Sequence, residues 1–369
     1  MARYDKRFHH ACRMRGGSNM LLTRLQFART SFSSVPHHYR TTILRTMATM
    51  KAVVVEQPGA PDKLVYKDIP RPQANENTVV IKNHAIGINY IDTYHRSGLY
   101  ALPLPFVVGR ESAGEITEVG SGVNDFKVGD RVVYVGGETY SEYTEAKLAS
   151  IEKITSDVSF ETAAAVGLQG LTALTLVRHC YPVQKGDNIL VHAASGGVGL
   201  LLCQLGRYLG ATVIGTVSTP EKAALARENG ADHVIIYTKE SVVDKVNEIT
   251  NGLGCHAVLD GVGKSTWETS LQCTRRLGTM VSFGNASGVV PPVSISILAQ
   301  KNLKLMRPQV FGFLATREES KRWWGELFDL LAKDVIKTNI YKVYDLKDAQ
   351  QAHIDIESRK TTGKLLLKP

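Results

Sequence analysis

The stretch Asn188-Ile-Leu-Val-His-Ala-Ala-Ser-Gly-Gly-Val-Gly199 decides how this chain is read. Its first half is a short apolar run of the kind that forms a buried strand. A glycine cluster follows, and then a segment, 198–209, with helical spacing. Read as Gly-x-Gly-x-x-Gly, the stretch has Ala194 in the first glycine place and Gly196 and Gly199 in the other two. The demand is on the backbone. Gly196 and Gly197 admit close approach of the main chain to a pyrophosphate, and Gly199 lets the helix pack on the strand. The helix N-terminus, with Ser195 and Val198 around it, offers unpaired N–H groups to phosphates. This is the pattern of a dinucleotide site, provided that strands and helices alternate around it.

They do. Strand-like runs at 188–194, 212–217, 233–237, 257–260, 279–283 and 303–306 alternate with helical segments at 198–209, 220–228, 241–250 and 265–277. Six strands in this rhythm imply an α/β domain with a doubly wound parallel sheet, the Rossmann arrangement. Ser218 or Thr219 can cap the helix at 220, Pro220 suits its first turn, and Asn229-Gly230 can end it. Upstream, short β-rich runs at 52–55, 79–88, 116–119, 131–135 and 140–146 are divided by Gly, Pro and Asn turns, which suggests a compact, mostly antiparallel, barrel-like domain. Helices at 317–332 and 346–358 and a strand at 364–367 read as a return to that first domain. The expected organisation is therefore 51–173 with 308–369, and 174–307 as the dinucleotide domain.

Composition narrows the class. With 369 residues, 43% hydrophobic and 21% charged, the chain has room for about two domains with cores of their own and none of the apolar poverty of disordered sequences. No stretch reaches the ~18 to 20 uninterrupted apolar residues of a membrane span. The net charge of +9 is concentrated: residues 1–50 hold nine Lys and Arg against Asp5 alone, so the rest is nearly neutral. That argues against a broad nucleic-acid surface on the folded body. The segment 1–50 is Arg-rich, Ser/Thr-rich and acid-poor, like a mitochondrial transit peptide; the alternative is an upstream extension with a start at Met47 or Met50. The expected location is the cytoplasm or the mitochondrial matrix. Five scattered cysteines, never in Cys-x-x-Cys spacing, indicate neither a disulfide framework nor a zinc knuckle.

The cofactor's identity follows from the end of the second strand. An acidic residue there would hold the adenosine ribose hydroxyls of NAD. The chain instead reads Gly215-Thr-Val-Ser-Thr-Pro-Glu-Lys222. With no carboxylate to repel a 2'-phosphate, Ser218, Lys222 and Tyr237 can donate to one, and the inference is NADPH. Lys222 also admits a plainer role as a solvated helix lysine.

At this point the chain resembles the zinc-free medium-chain dehydrogenase/reductases, in particular the quinone oxidoreductase (zeta-crystallin) group. Gly186-Asp187, Leu190, Ala194-Ser-Gly-Gly197, Gly199, Gln204 and Arg207 carry the likeness, as do Ala85 through Tyr100, Gln169-Gly-Leu-Thr172, Val281 through Ser287 and Arg307-Pro308. The resemblance implies a GroES-like mostly-β catalytic domain beside the Rossmann domain, and a homodimer joined through the cofactor domains near 303–306. Zinc-dependent relatives place a cysteine in the segment where this chain has Asn89 to Asp92, and Gly-His-Glu where it has Gly109-Arg110-Glu111. No metal site is expected. An acceptor that is already electron-poor then fits best, and the resemblance implies NADPH-dependent reduction of quinones to semiquinone or hydroquinone. It places Asn89, Asp92, Tyr94, Tyr100 and Arg307 near the nicotinamide. Tyr94 or Tyr100 would donate to the developing oxyanion and Arg307 would stabilise its charge, or the three would line a slot for a flat ring. Asn89 and Asp92 would order the nicotinamide or its loop. Thr172, Phe283, Gly284 and Asn285 would touch the cofactor. The alternatives are a reductase of α,β-unsaturated carbonyls and an additional single-stranded RNA- or DNA-binding activity.

Overall fold

The computed structural model describes residues 48–369. The basic segment up to residue 47, and with it the expectation of a presequence, lies outside the described residues.

The quoted stretch begins the central strand of a six-stranded parallel sheet. In spatial order the strands are His233–Ile236, Thr212–Val217, Asn188–Val191, Cys255–Asp260, Thr274–Ser282 and Lys304–Met306. The chain winds outward from Asn188–Val191 in one direction and then in the other, so the strand order reverses there. A crevice opens at such a point beyond the carboxyl ends of the strands. Strand Asn188–Val191 stops three residues earlier than its apolar run suggests. The backbone turns over at Ala193, which is left-handed with φ 51° although it is not glycine. Ala194, in the first glycine place, instead packs its methyl against Gly215.

Helix Gly197–Tyr208 leaves this turn and helix Pro220–Glu228 the next. Of the two candidate caps before Pro220 it is Thr219 that accepts from the Lys222 N–H. The segment expected as one helix over 265–277 is divided. Helix Trp267–Cys273 ends where the Thr274 hydroxyl bonds the Ser270 carbonyl (2.6 Å), and Thr274 then opens the strand Thr274–Ser282. Likewise 346–358 is a short 3₁₀ turn, Leu346–Asp348, followed by helix Ala349–Glu357.

The remaining residues build a seven-stranded sheet and a three-stranded one. The larger follows the order Ile340–Asp345, Lys364–Lys368, Thr78–Ile88, Glu111–Val119, Arg131–Val135 and Ile151–Lys153, with Tyr143–Lys147 also paired to Thr78–Ile88. The tail does return: Leu366 pairs antiparallel with Gly87. Strand Leu64–Pro70 in the smaller sheet and two helices, Tyr90–Ser97 and Phe160–Thr175, have no counterpart in the sequence reading. Helix Phe160–Thr175 continues as a wider turn to Cys180, and together they are long and apolar enough to cross a membrane. Its residues Ala163, Leu171 and Leu174 are fully buried, so the apolar character belongs to a core helix covered on both sides. One continuous core, including Val133, Val166, Val191, Leu202 and Trp324, runs through both sheets and across residue 173.

Candidate functional site

A cleft of about 1000 Å³ runs from the glycine turn to a cluster of tyrosines. At one end lies the N-terminus of helix Gly197–Tyr208. No side chain caps it at Gly196, so its first N–H groups face the cleft without a side-chain acceptor. A Cβ at Gly199 would stand 2.2 Å from the Ala193 carbonyl oxygen, and one at Gly197 would stand 1.9 Å from Gln169 Oε1. Gly199 therefore meets the packing demand read from the sequence. At Gly197 the Gln169 side chain occupies the space of a Cβ, and at Gly196 a Cβ would meet the Ala193 carbonyl oxygen at 3.3 Å, a tight contact. Ser195, Val198, Ser218, Lys222 and Tyr237 all line the cleft.

Arg359 and Thr361, from the catalytic part, line the same end. Lys222 donates to the Arg359 carbonyl (2.6 Å), and the Gly363 N–H donates to the Ser195 carbonyl (3.0 Å). Arg359 was not read from the sequence. It lies 137 residues beyond Lys222, and only the pairing of the last strand brings it there. Burial holds the Lys222 ammonium below its ordinary range, as expected of a cation waiting for an anion. An uncapped helix end, small residues, and a lysine, a tyrosine and an arginine, with Glu240 the one acid lining this end, fit a 2'-phosphorylated dinucleotide.

At the other end the two tyrosines differ in what their hydroxyls do. Tyr94 accepts from the Asn285 backbone N–H at 2.9 Å, which leaves its own proton free. Burial pushes its pKa far up, so it stays a phenol. Tyr100 accepts from the Arg307 guanidinium at 2.9 Å. With the Asn285 amide turned so that its oxygen faces Arg307 (3.0 Å), Tyr100 donates to that oxygen at 2.9 Å. Arg307 also grips the Ser282 and Gly284 carbonyls at 2.9 and 3.1 Å. Arg307 lines the cleft and also clamps the 282–285 turn against Tyr100. Phe283 and Gly284 line the cleft, and Asn285 braces it from behind. The Thr172 hydroxyl donates to the Leu168 carbonyl (2.7 Å) and presents its lone pairs to the cleft.

Of the two roles expected of Asp92, ordering the nicotinamide or ordering its loop, the contacts match the second. Asp92 is fully buried and does not line the cleft; its Oδ2 accepts from the Asn89 N–H (2.8 Å) and from Tyr140 (3.2 Å), tying down the first turn of helix Tyr90–Ser97. Asn89 does reach the cleft. Its amide donates to Glu111 at 2.6 Å and its oxygen accepts from Lys364 at 3.0 Å. Lys364 and Glu111 form a buried ion pair, and the Glu111 carboxylate fits only because Gly87 and Gly167 have no Cβ. Among the described residues no three His, Cys, Asp or Glu side chains gather as metal ligands.

Residues 75–183 match the alcohol dehydrogenase GroES-like domain and residues 197–333 the zinc-binding dehydrogenase domain. The quinone oxidoreductase of Pseudomonas aeruginosa is 46% identical over 316 residues, spanning 84% of this chain and 97% of that protein. The chain belongs to the quinone oxidoreductase family. The structure of Escherichia coli quinone oxidoreductase complexed with NADPH superposes with a TM-score of 0.85 at 45% identity, covering 86% of this chain and all of that one. A 2-haloacrylate reductase from a Burkholderia species is 36% identical over 86% of the chain and 98% of its own length. Within the family this chain falls in the zinc-free quinone oxidoreductase group.

Proposed function

We propose that the protein is an NADPH-dependent quinone oxidoreductase. The observation that carries this reading is the single cleft joining an uncapped glycine-rich helix end and Lys222 to the free hydroxyl of Tyr94. When bound, NADPH supplies a hydride from its nicotinamide ring. The chain's own residues do the rest. Gly196 to Gly199 take the pyrophosphate, and Ser218, Lys222, Tyr237 and Arg359 take the 2'-phosphate. Thr172, Gly284 and Asn89 border the nicotinamide end. Tyr94 donates a hydrogen bond to the acceptor oxygen as negative charge grows there, a stabilisation aimed at the transition state. The Tyr100–Asn285–Arg307 cluster holds Tyr94 and the cofactor turn in register. Because a quinone becomes aromatic on reduction, positioning and one donor suffice without a Lewis acid.

Initial rates with NADPH and NADH against 1,2- and 1,4-quinones and alkenals test this. Quinones with NADPH are expected to lead. A clear preference for alkenals would favour the second reading, a reductase of α,β-unsaturated carbonyls, to which the 2-haloacrylate reductase likeness gives support. The protein is further proposed to form a homodimer through the open sheet edge at Lys304–Met306 and to act in the cytoplasm or mitochondrial matrix. An import assay on the full chain tests the latter.

A further inference from the structure

One charged group at the tyrosine end has no part in the mechanism above. Arg110 precedes strand Glu111–Val119 and lines the cleft. It is half-buried, and its backbone is fixed, its carbonyl accepting from the Gly136 N–H at 3.0 Å. Among the described residues its guanidinium meets no carboxylate, and its one side-chain hydrogen-bonding partner is His95, with Nε 3.4 Å from Nδ1 and Nη2 3.1 Å from Nε2. A neutral imidazole has one acceptor nitrogen, so at most one of these contacts is a hydrogen bond, and most of the five guanidinium donors stay unclaimed. Burial and the neighbouring guanidinium push the His95 pKa down to about 4, so His95 orients Arg110 and adds no charge of its own. The Phe311 ring lies beside the guanidinium, with its centroid 5.5 Å from the Arg110 Cζ.

The surroundings make this cation conspicuous. Glu240, the one acid that lines the cleft among the described residues, sits at the Tyr237 end. At the tyrosine end Arg307 is claimed by carbonyls and Tyr100, whereas Arg110 is held only by an uncharged imidazole, with the Phe311 ring beside it. A half-buried guanidinium gains most from a planar anion that can take two of its donors.

We propose that Arg110 determines substrate specificity by selecting acceptors that carry a compact anionic substituent, a carboxylate or sulfonate, beside the reducible ring or double bond. The substituent docks on the free edge of the Arg110 guanidinium beside Phe311, and the reducible face then lies toward Tyr94. This rests on the functional reading above, since it names which acceptors that site takes.

The test uses the full chain with NADPH, comparing 1,4-naphthoquinone with its 2-sulfonate in the wild type, Arg110→Met, Arg110→Gln and Arg110→Lys. Each variant's ratio of kcat/KM for the two acceptors is set against the wild-type ratio, which cancels their different reduction potentials. The ratio is expected to fall at least about tenfold in Arg110→Met and Arg110→Gln, mostly through KM for the sulfonate, with part retained in Arg110→Lys. Equal losses for both acceptors, or a ratio that moves less than about twofold, would overturn the proposal. Calorimetric titration of 2-naphthalenesulfonate gives a readout independent of turnover. Tighter binding to the wild type than to Arg110→Gln supports the assignment even if no quinone is reduced, in which case the functional reading fails and the anion site stands. Equal binding removes the site whatever the turnover.

Discussion

Tyr94 and Tyr100 lie six positions apart and 5.2 Å between ring centroids, yet only Tyr94 has a hydroxyl proton left to give. Tyr94→Phe is therefore expected to lower kcat for a quinone by about 10- to 100-fold while the Kd of NADPH, read by fluorescence titration, holds. Tyr100→Phe breaks the brace with Arg307, so its loss is expected to be smaller and shared between cofactor and acceptor. At the opposite end, Lys222 forms no ion pair among the described residues, and its ammonium donates to the Arg359 carbonyl. Lys222→Ala is expected to raise the KM for NADPH at least about tenfold and leave that for NADH nearly as it was, because only the former carries a phosphate for the ammonium. Equal changes with both nucleotides would remove the 2'-phosphate from this place. Lys222 was legible in the sequence because its helix follows directly on the strand end. Arg359 was not, since a chain-distant residue acquires a ligand role only through strand pairing.

Helix Tyr90–Ser97 and helix Ala349–Glu357 are joined by a buried polar chain that has consequences for stability. Glu357 receives both arms of Arg96 at 2.8 and 2.9 Å. Arg96 also donates to His353 Nδ1 (3.1 Å), His353 Nε2 meets Tyr140 (3.1 Å), and Tyr140 donates to Asp92 at 3.2 Å. Arg96 donates and Asp92 accepts, so the imidazole is neutral with its proton on Nε2. Burial, with Arg96 beside it, takes the His353 pKa down to about 3, whereas burial raises Asp92 to about 7. The two act in opposite senses. Below the ordinary histidine pKa of about 6.5 the unfolded chain binds a proton that native His353 refuses, so stability falls on acidification. Between about 4 and 7 native Asp92 holds a proton that the unfolded chain has released, so stability rises on acidification. His353→Gln is thus expected to flatten the loss of Tm from pH 7 to pH 4, and Asp92→Asn to steepen it. Parallel slopes in the two variants would contradict the assignment. None of this chain was visible beforehand: the resemblance set Asp92 near the nicotinamide, and its partners in the chain, Tyr140 and His353, are distant in sequence. The alternation over 188–228, in contrast, was read closely apart from the early end of the first strand, because the glycine turn, the cap at Ser218 or Thr219 and Pro220 are all local signals.

At the scale of the molecule, the residues assigned to the site lie between Asn89 and Gly363. The surface that invites association lies elsewhere. Lys304–Met306 ends the six-stranded sheet with an open edge, a ready template for pairing with a second copy. The segment leading into it exposes Val289, Val293 and Ile295, the last at 84%, and Leu305 on the strand itself is 39% exposed. Apolar side chains beside an unpaired edge are what a two-fold sheet continuation would cover, each strand meeting its own copy. Charges placed there, Ile295→Glu with Leu305→Lys, are expected to give a monomer in sedimentation velocity where the parent sediments as a dimer. Because Leu298 and Leu303 hold the same segment to the core through Trp267 and Met280, the substituted protein is expected to keep its fold and to bind NADPH within about twofold of the parent. A parent that sediments as a monomer would withdraw the dimer. A substituted monomer that has lost NADPH would mean that pairing supports the cofactor turn through the strand Thr274–Ser282, which lies between the edge and the cleft.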